Sequence, residues 1–243
     1  MASKSVIRTG VVYSSLLGAT AVLAPIIGAS GFMGNPRISD RLIRWWSHSL
    51  MLSAGVQWDA FGVENAEGLG PCVIMSSHRS HLDGPLLLCV LPLDFAFVIK
   101  KALAKIPLWG WAVTGAGYVS IDRGSQADSL DGMKKAAESV RNGRRVLTFP
   151  EGSRAPTDDF LPFKKGGAVL AIEAQVPVLP VAIAGTYDLL PRDTFMVRSG
   201  RAMVGVGRPV PTEGMTYDDR GELLSTVEAE IRRLYAEAKE RLS

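Results

Sequence analysis

The 243-residue sequence has little of what several protein classes require. Its two cysteines, Cys72 and Cys89, lie in apolar stretches, so we expect buried free thiols and neither a disulfide framework nor a metal site. The net charge is only +3, and no zinc-finger spacing or aromatic-basic ribonucleoprotein motif accompanies it. No nucleic-acid partner is therefore expected. Three histidines also leave few ligands for a two-metal site.

Apolar residues make up 47% of the chain, which gives enough material for one large core. Past residue 70, short β-type runs alternate with helical patterns. The predicted strands are 72–76, 95–99, 117–122, 145–149, 178–184 and 202–206, and the predicted helices are 84–91, 128–142, 165–175 and 218–242. This alternation predicts an α/β fold in which helices flank a mainly parallel mixed sheet.

The first 58 residues are predicted to be a membrane-anchoring helical segment, and residues 59–243 the α/β domain. No residue from Thr9 to Pro36 is charged. As one helix, Val11–Met33 would extend about 35 Å, enough to cross a hydrocarbon core of about 30 Å. Pro25 predicts a break, however, and the glycines after it disfavour a helix. We therefore favour a monotopic anchor over a single span, with a buried core helix or a cleaved signal peptide as alternatives.

The next segment, Ile38–Trp58, predicts an amphipathic helix. One face carries the basic residues, and the tryptophans lie at its boundary; these residues are Arg37, Arg41, Arg44, His48, Trp45 and Trp46. Such a pattern is typical of a helix that lies among anionic lipid headgroups. We expect the protein at the cytoplasmic face of the cell membrane, in contact with membrane lipids.

The pattern that points to chemistry is Ser77-His78-Arg79-Ser80-His81-Leu82-Asp83, which ends a buried strand and opens an apolar helix. α/β proteins place their chemistry at such strand ends. Asp83 is expected to fold back and accept a hydrogen bond from one imidazole nitrogen of His78. That bond would leave the other nitrogen free to take a proton. On this pair alone, a helix-capping Asp beside a surface His is the favoured interpretation.

A second segment, Phe149-Pro150-Glu151-Gly152-Ser153-Arg154, follows another predicted strand. With His78-x4-Asp83 it resembles the glycerolphosphate acyltransferase superfamily, especially the bacterial 1-acylglycerol-3-phosphate acyltransferases. Two further blocks of that family occur in the expected order, at 117–123 and 176–181, and the resemblance covers about residues 70 to 185. Ser77 stands where many members have Asn, and Ser153 where Thr is commoner.

The resemblance implies a membrane enzyme that moves a fatty acyl group from a thioester to the free hydroxyl of a lysophosphatidic acid. Acyl-CoA is the expected donor, with acyl carrier protein as the other possibility. His78 would be the general base and Asp83 would orient it. We expect no cofactor and no protein nucleophile, because a thioester is already activated. Ser80 lacks the glycine-flanked elbow of a nucleophilic serine.

The family's acceptor-phosphate positions match cations on three loops. We expect the substrate to be bound by Arg123, Glu151, Gly152, Ser153, Arg154, Lys164 and Lys165. A guanidinium binds phosphate oxygens bidentately, and Gly152 would permit a tight turn. Glu151 either contacts the glycerol hydroxyl or pairs with Arg154 or Arg123.

Three other functions remain open. A different lysophospholipid or a glycolipid could be the acceptor, and a non-catalytic lipid-binding module could keep the same fold. A metal-dependent hydrolase could use His78, His81 and Asp83, but the H-x-H-x-D-H pattern of metallo-β-lactamases is not met.

Overall fold

The computed structural model describes residues 2–121 and 126–243. In this part of the chain seven strands form one sheet in the order β1-β7-β6-β2-β5-β3-β4. The strands are β1 Val56–Phe61, β2 Val73–Ser76, β3 Ala96–Lys100, β4 Val119–Ile121, β5 Val146–Thr148, β6 Val178–Ala184 and β7 Gly200–Val206. The β6–β7 pair is antiparallel and the other neighbours are parallel. The predicted mainly parallel mixed sheet is confirmed.

Helices cover both faces of the sheet. They are α1 Ala2–Phe32, α2 Pro36–Ser53, α3 Asp83–Val90, α4 Lys101–Ala104, α5 Trp109–Gly115, α6 Gln126–Arg141, α7 Gly166–Ala174, α8 Thr186–Leu189 and α9 Arg220–Leu242. One apolar cluster joins α2 and α3 to the sheet, and another joins α6, α7 and α9 to it. Because both faces are covered, β2 and β6 are buried along their whole length, as continuous apolar runs predict.

The first strand was not predicted, and the amphipathic helix predicted to reach Trp58 ends at Ser53. Gly55 has φ +65°, the left-handed backbone that ends many helices. β1 then begins at Val56 and pairs only with β7, at the edge of the sheet. β1 therefore spans residue 59, the domain boundary predicted from the sequence.

The N-terminal helix α1 runs without interruption through Pro25, so the predicted break is wrong. Leu23, Ala24 and Ile27 are buried against α5, and this packing on both sides of the proline holds the helix together. Glycines allow α1 and α5 to approach each other closely. A Cβ at Gly31 would lie 1.8 Å from the carbonyl oxygen of Gly115, so only glycine permits this close crossing.

The apolar part of α1, Ser5–Phe32, is 28 residues long, and its most apolar 18-residue window has a mean hydropathy of 1.8. By length and composition it could cross a membrane, although it lies near the N-terminus, as a signal sequence would. Only 22% of its most apolar window is buried within the protein. A core helix of a soluble protein would be mostly buried, so this exposed apolar helix is compatible with membrane association.

One basic residue of α2, Arg44, does not belong to the predicted lipid-facing surface. Arg44 donates hydrogen bonds to the carbonyl oxygens of Leu88 and Leu91, at 2.7 and 2.9 Å, and pairs with Asp94. Its guanidinium therefore caps the end of α3 and faces the protein, contrary to the prediction. Arg41, one turn earlier, is exposed.

Candidate active site

The site lies at the carboxyl ends of β2, β5 and β6, where the turn after β2 carries His78. Ser77 fixes this turn because its hydroxyl oxygen accepts a hydrogen bond of 3.0 Å from the amide of Ile183 in β6. The carbonyl of His78 accepts another from the amide of Ala155 at 3.0 Å. The backbone of His78 is thus tied both to the neighbouring strand and to the loop after β5.

His78 and Asp83 form the predicted hydrogen bond, with 2.9 Å between Nδ1 and Oδ2. Asp83 is fully buried, and its Oδ2 also accepts the amides of Arg79 and Ser80 at 2.7 and 2.8 Å. Its Oδ1 accepts the hydroxyl of Thr186 at 2.6 Å. Because an ionised carboxylate only accepts, these donors place the imidazole proton on Nδ1.

The other imidazole nitrogen of His78 is open. Within the ranges that the structure describes, no hydrogen bond occupies Nε2, and the side chain is 19% exposed. The ring lies flat against Phe149, with 3.9 Å between ring centroids and 14° between planes. This stacking and the Asp83 bond fix the ring while Nε2 remains free to accept a proton.

Glu151 is buried, with 2% of its surface exposed, and its carboxylate is saturated by the protein. Oε1 accepts the amide of His78 at 2.8 Å, and Oε2 accepts the amide of Leu161 at 2.9 Å. Both oxygens also bind Nη1 of Arg79, at 2.7 and 2.8 Å. Glu151 therefore pairs with Arg79, and its predicted pairing with Arg154 is wrong.

Arg79 is 1% exposed, and its guanidinium lies 4.3 Å from the centroid of the Phe160 ring. Tyr235 of α9 lies on the same guanidinium at 5.3 Å. Sequence reasoning missed Arg79. The only signal was a cation between the two histidines, directly after a buried strand, where a solvated charge is unexpected.

Thr186 was also missed. It is fully buried and follows Gly185, whose φ of +88° turns the chain after β6 towards Asp83. A polar residue after a glycine at the end of a buried apolar strand was the available signal.

Arg154 lies on the loop after β5 and exchanges hydrogen bonds with Arg192. Its Nη1 donates to the carbonyl of Arg192 at 3.2 Å, and Arg192 donates back at 3.0 Å. Partial burial, followed by the charge of Arg192, lowers the pKa of Arg154. Partial desolvation, then Arg154 and His78, lower the pKa of His81. The loop thus adds positive charge beside His78.

The remaining predicted substrate residues surround the same loop, with one outside the described part. Gly152 has φ +73°, which confirms the predicted tight turn, and Ser153 next to it is half-buried. Lys164 and Lys165 are exposed before α7, and the amide of Lys164 donates to the carbonyl of Pro150 at 2.9 Å. This bond brings both lysines to the base of the loop. Arg123 falls outside the described residues.

Helix α1 runs past this edge of the sheet. Thr9 accepts a hydrogen bond from the amide of Val197 at 3.0 Å, and Tyr13 lies close enough to affect the pKa of Arg154. Among residues 2–121 and 126–243, no three His, Cys, Asp or Glu side chains form a group that could hold a metal ion, so His78, His81 and Asp83 do not form one.

Comparisons with known proteins show the family of this chain. Residues 60–184 match a family model described as Acyltransferase. The chain is 31% identical over 187 residues to the 1-acyl-sn-glycerol-3-phosphate acyltransferase of Saccharomyces cerevisiae, covering 76% of this chain and 61% of that protein. It is 33% identical over 184 residues to the human 1-acyl-sn-glycerol-3-phosphate acyltransferase alpha, covering 75% and 65%. The aligned part thus spans slightly less than two thirds of these relatives.

A crystal structure also matches the fold. The lysophosphatidic acid acyltransferase PlsC from Thermotoga maritima aligns with a TM-score of 0.78 and 24% identity, over 95% of this chain and 97% of that one. The likeness therefore extends over the N-terminal helices as well as the sheet.

Proposed function

The chain belongs to the acyltransferase family, and we propose that it transfers a fatty acyl group from acyl-CoA to the free hydroxyl of a lysophosphatidic acid. The product would be phosphatidic acid, an intermediate of phospholipid synthesis. The proposal depends on one observation. The buried Asp83 is hydrogen-bonded to Nδ1 of His78, and Nε2 of the same ring is open beside a cationic loop. The names of the two relatives support the same acceptor.

In the proposed reaction, Nε2 of His78 takes the proton of the acceptor hydroxyl as its oxygen attacks the thioester carbonyl. The carbonyl π electrons move to oxygen, and their return expels the thiolate, which receives the proton from the imidazolium. Asp83 stays ionised and stabilises that imidazolium. General-base catalysis of this kind contributes about 10²- to 10⁴-fold, so positioning and electrostatics supply the rest.

The acceptor phosphate is proposed to bind the cations of the loops around His78. Arg154 supports this because it is half-buried beside the site and presents a planar donor group. Lys164, Lys165 and Arg123 remain proposed partners of the same phosphate. Glu151 has no such role in this proposal, since its oxygens are held by Arg79 and by two backbone amides.

We propose that α1 and α2 form a monotopic anchor at the cytoplasmic face. A helix whose residues Leu23, Ala24 and Ile27 are buried against the α/β body lies along that body. Such a helix suits an interface better than a path away from the protein through the bilayer. The positive residues Arg8, Arg37 and Arg41 near α1 and α2 support the cytoplasmic face.

His78→Ala in the purified full chain tests this function, with acyl-CoA and a panel of lysolipids offered and the products identified by mass spectrometry. The parent should acylate lysophosphatidic acid, and the variant should lose about 10²-fold or more in turnover. His81→Ala is the matched control and should stay close to the parent. Circular dichroism should show the same melting for both variants. Near-normal turnover of His78→Ala would refute the base assignment, and a preference for another lysolipid would replace the acceptor.

A further inference from the structure

The segment after β3 exposes a group of large apolar side chains at the same edge of the sheet as His78. Between 42% and 50% of their surface is open to solvent, and they are Leu103, Ile106, Leu108 and Trp111. Isolated exposed apolar residues are ordinary, but a contiguous group on one short segment indicates an interaction surface.

Leu108 adds a second observation. Its φ of +62° places a bulky residue in the left-handed region, where a side chain with a Cβ is strained. Such conformations concentrate at binding sites. In this turn the side chain of Leu108 is exposed, whereas leucine side chains are more often buried.

The charged residues along this segment are all positive. Three lysines, Lys100, Lys101 and Lys105, and no acidic residue lie between Asp94 and Asp122. Lys100 and Lys105 are exposed. Lysines beside protruding apolar side chains complement a surface that is anionic outside and apolar beneath, which describes a bilayer containing anionic lipids.

The segment is continuous with the apolar helix α1. Phe32 packs on Trp111 with 4.6 Å between ring centroids, and Gly28 of α1 also contacts the Trp111 indole. The exposed face of α1 is therefore joined at Trp111 to the segment that carries the other exposed apolar side chains.

A second apolar projection lies near the other end of α1, in the loop before β7. Phe195 is 81% exposed and Met196 beside it is 36% exposed. Arg192 and Arg198 are exposed on either side, with Asp193 as the single acidic residue of this loop. The bond from Val197 to Thr9 ties the loop to α1, and the Arg192–Arg154 bonds tie it to the active site.

We propose that these two segments, 100–111 and 191–198, dock on an anionic lipid surface together with α1, and that the opening to His78 faces the same leaflet between them. This inference rests on the proposed function only in that the acceptor is taken from that leaflet. In this proposal Ile106 and Phe195 orient the active site on the bilayer. With α1 as the sole anchor, the protein would be free to tilt.

Fluorescence tests the surface without reference to activity. In the full chain with Cys72→Ala and Cys89→Ala, an environment-sensitive label is attached at Ile106→Cys, Phe195→Cys or Tyr217→Cys. Tyr217 is the matched control because it is 59% exposed beside Arg220, at the opposite edge of the sheet. Vesicles of phosphatidylcholine and phosphatidylglycerol should shift the emission to the blue at 106 and 195, and quenchers on the acyl chains should reach both. Labels at 106 and 195 that remain aqueous, as the label at 217 should, would overturn the proposal.

Kinetics tests the consequence for catalysis. Ile106→Glu and Phe195→Glu should each raise the apparent KM for a vesicle-embedded acceptor by about tenfold, because each variant loses an apolar side chain from the bilayer and places a negative charge against anionic lipids. The kcat/KM for a short-chain acceptor dissolved as monomers should not change, and Tyr217→Glu should change neither. Equal losses on both acceptors, or no loss on vesicles, would overturn the inference. Failure of the unmodified protein to acylate either acceptor would instead contradict the proposed function. The fluorescence experiment would still test the docking surface in that case.

Discussion

Replacement of Glu151 by Gln should destabilise the protein severely. The change keeps the shape of the side chain but removes its charge and turns one acceptor oxygen into a donor. The buried guanidinium of Arg79, 1% exposed, would then lie unneutralised between Phe160 and the amide. Breaking a buried ion pair from one side costs about 3–5 kcal/mol. At about 2–4 °C per kcal/mol for a chain of this size, the melting temperature should fall by about 6–20 °C.

Thermal and urea unfolding of the purified full chain, in one detergent, measures this loss. Arg79→Met should be comparably destabilised, because it leaves the Glu151 carboxylate buried with two amides but no cation. The double variant Arg79→Met/Glu151→Leu provides the control. Its loss should be clearly smaller than the sum of the two single losses, since no isolated charge remains buried.

The alternative, in which Glu151 contacts the glycerol hydroxyl of the acceptor, makes the opposite prediction. Glu151→Gln would then melt like the parent, and its main effect would be a higher KM for the acceptor. That pair of results would refute the reasoning from burial. Loss of turnover with unchanged KM, together with the lower melting temperature, would support positioning of the His78 backbone by Glu151.

Two further variants probe the groups around Asp83 and the phosphate. Thr186→Val should lower kcat by about tenfold with the acceptor KM unchanged, because a bond to a charged group is worth about 1.5–3 kcal/mol but two amides still hold the other oxygen of Asp83. Thr186→Ser should restore the rate, and an effect on KM alone would contradict the positioning role. Arg154→Ala should raise the KM for a phosphate-bearing acceptor by about 10- to 100-fold, with Arg154→Lys intermediate. A change confined to the acyl donor would show that Arg154 does not bind the acceptor.

The parts of the site that were predicted correctly depend on neighbours in the sequence. His78 and Asp83 are five residues apart across a strand-to-helix turn, and their bond needs little beyond that turn. Gly152 likewise adopts its left-handed backbone within one loop. Local geometry of this kind follows from residue type and spacing alone.

The parts that were missed depend on residues far apart in the chain. Arg79 and Glu151 are separated by 72 positions and Asp83 and Thr186 by 103, so only the strand order brings each pair together. The uninterrupted course of α1 through Pro25 has the same cause, since the packing on α5 outweighs a local preference to break. β1 was not predicted because its first residues were assigned to the preceding helix, although Gly55 was available as a signal for the end of that helix.

The charges of the site explain how two carboxylates coexist with a proposed phosphate. A free carboxylate beside the acceptor would repel it, and the fold places both Asp83 and Glu151 close to His78. Each is buried, and each accepts four hydrogen bonds from donors of the protein. Their negative charges therefore interact with the imidazole and with Arg79, and the low solvation of the interior strengthens these interactions. The half-buried Arg154 and the exposed Arg192 remain on the outer side of the same loops. An anionic headgroup approaching His78 would thus meet cations first, while the imidazolium formed in the reaction is stabilised from behind.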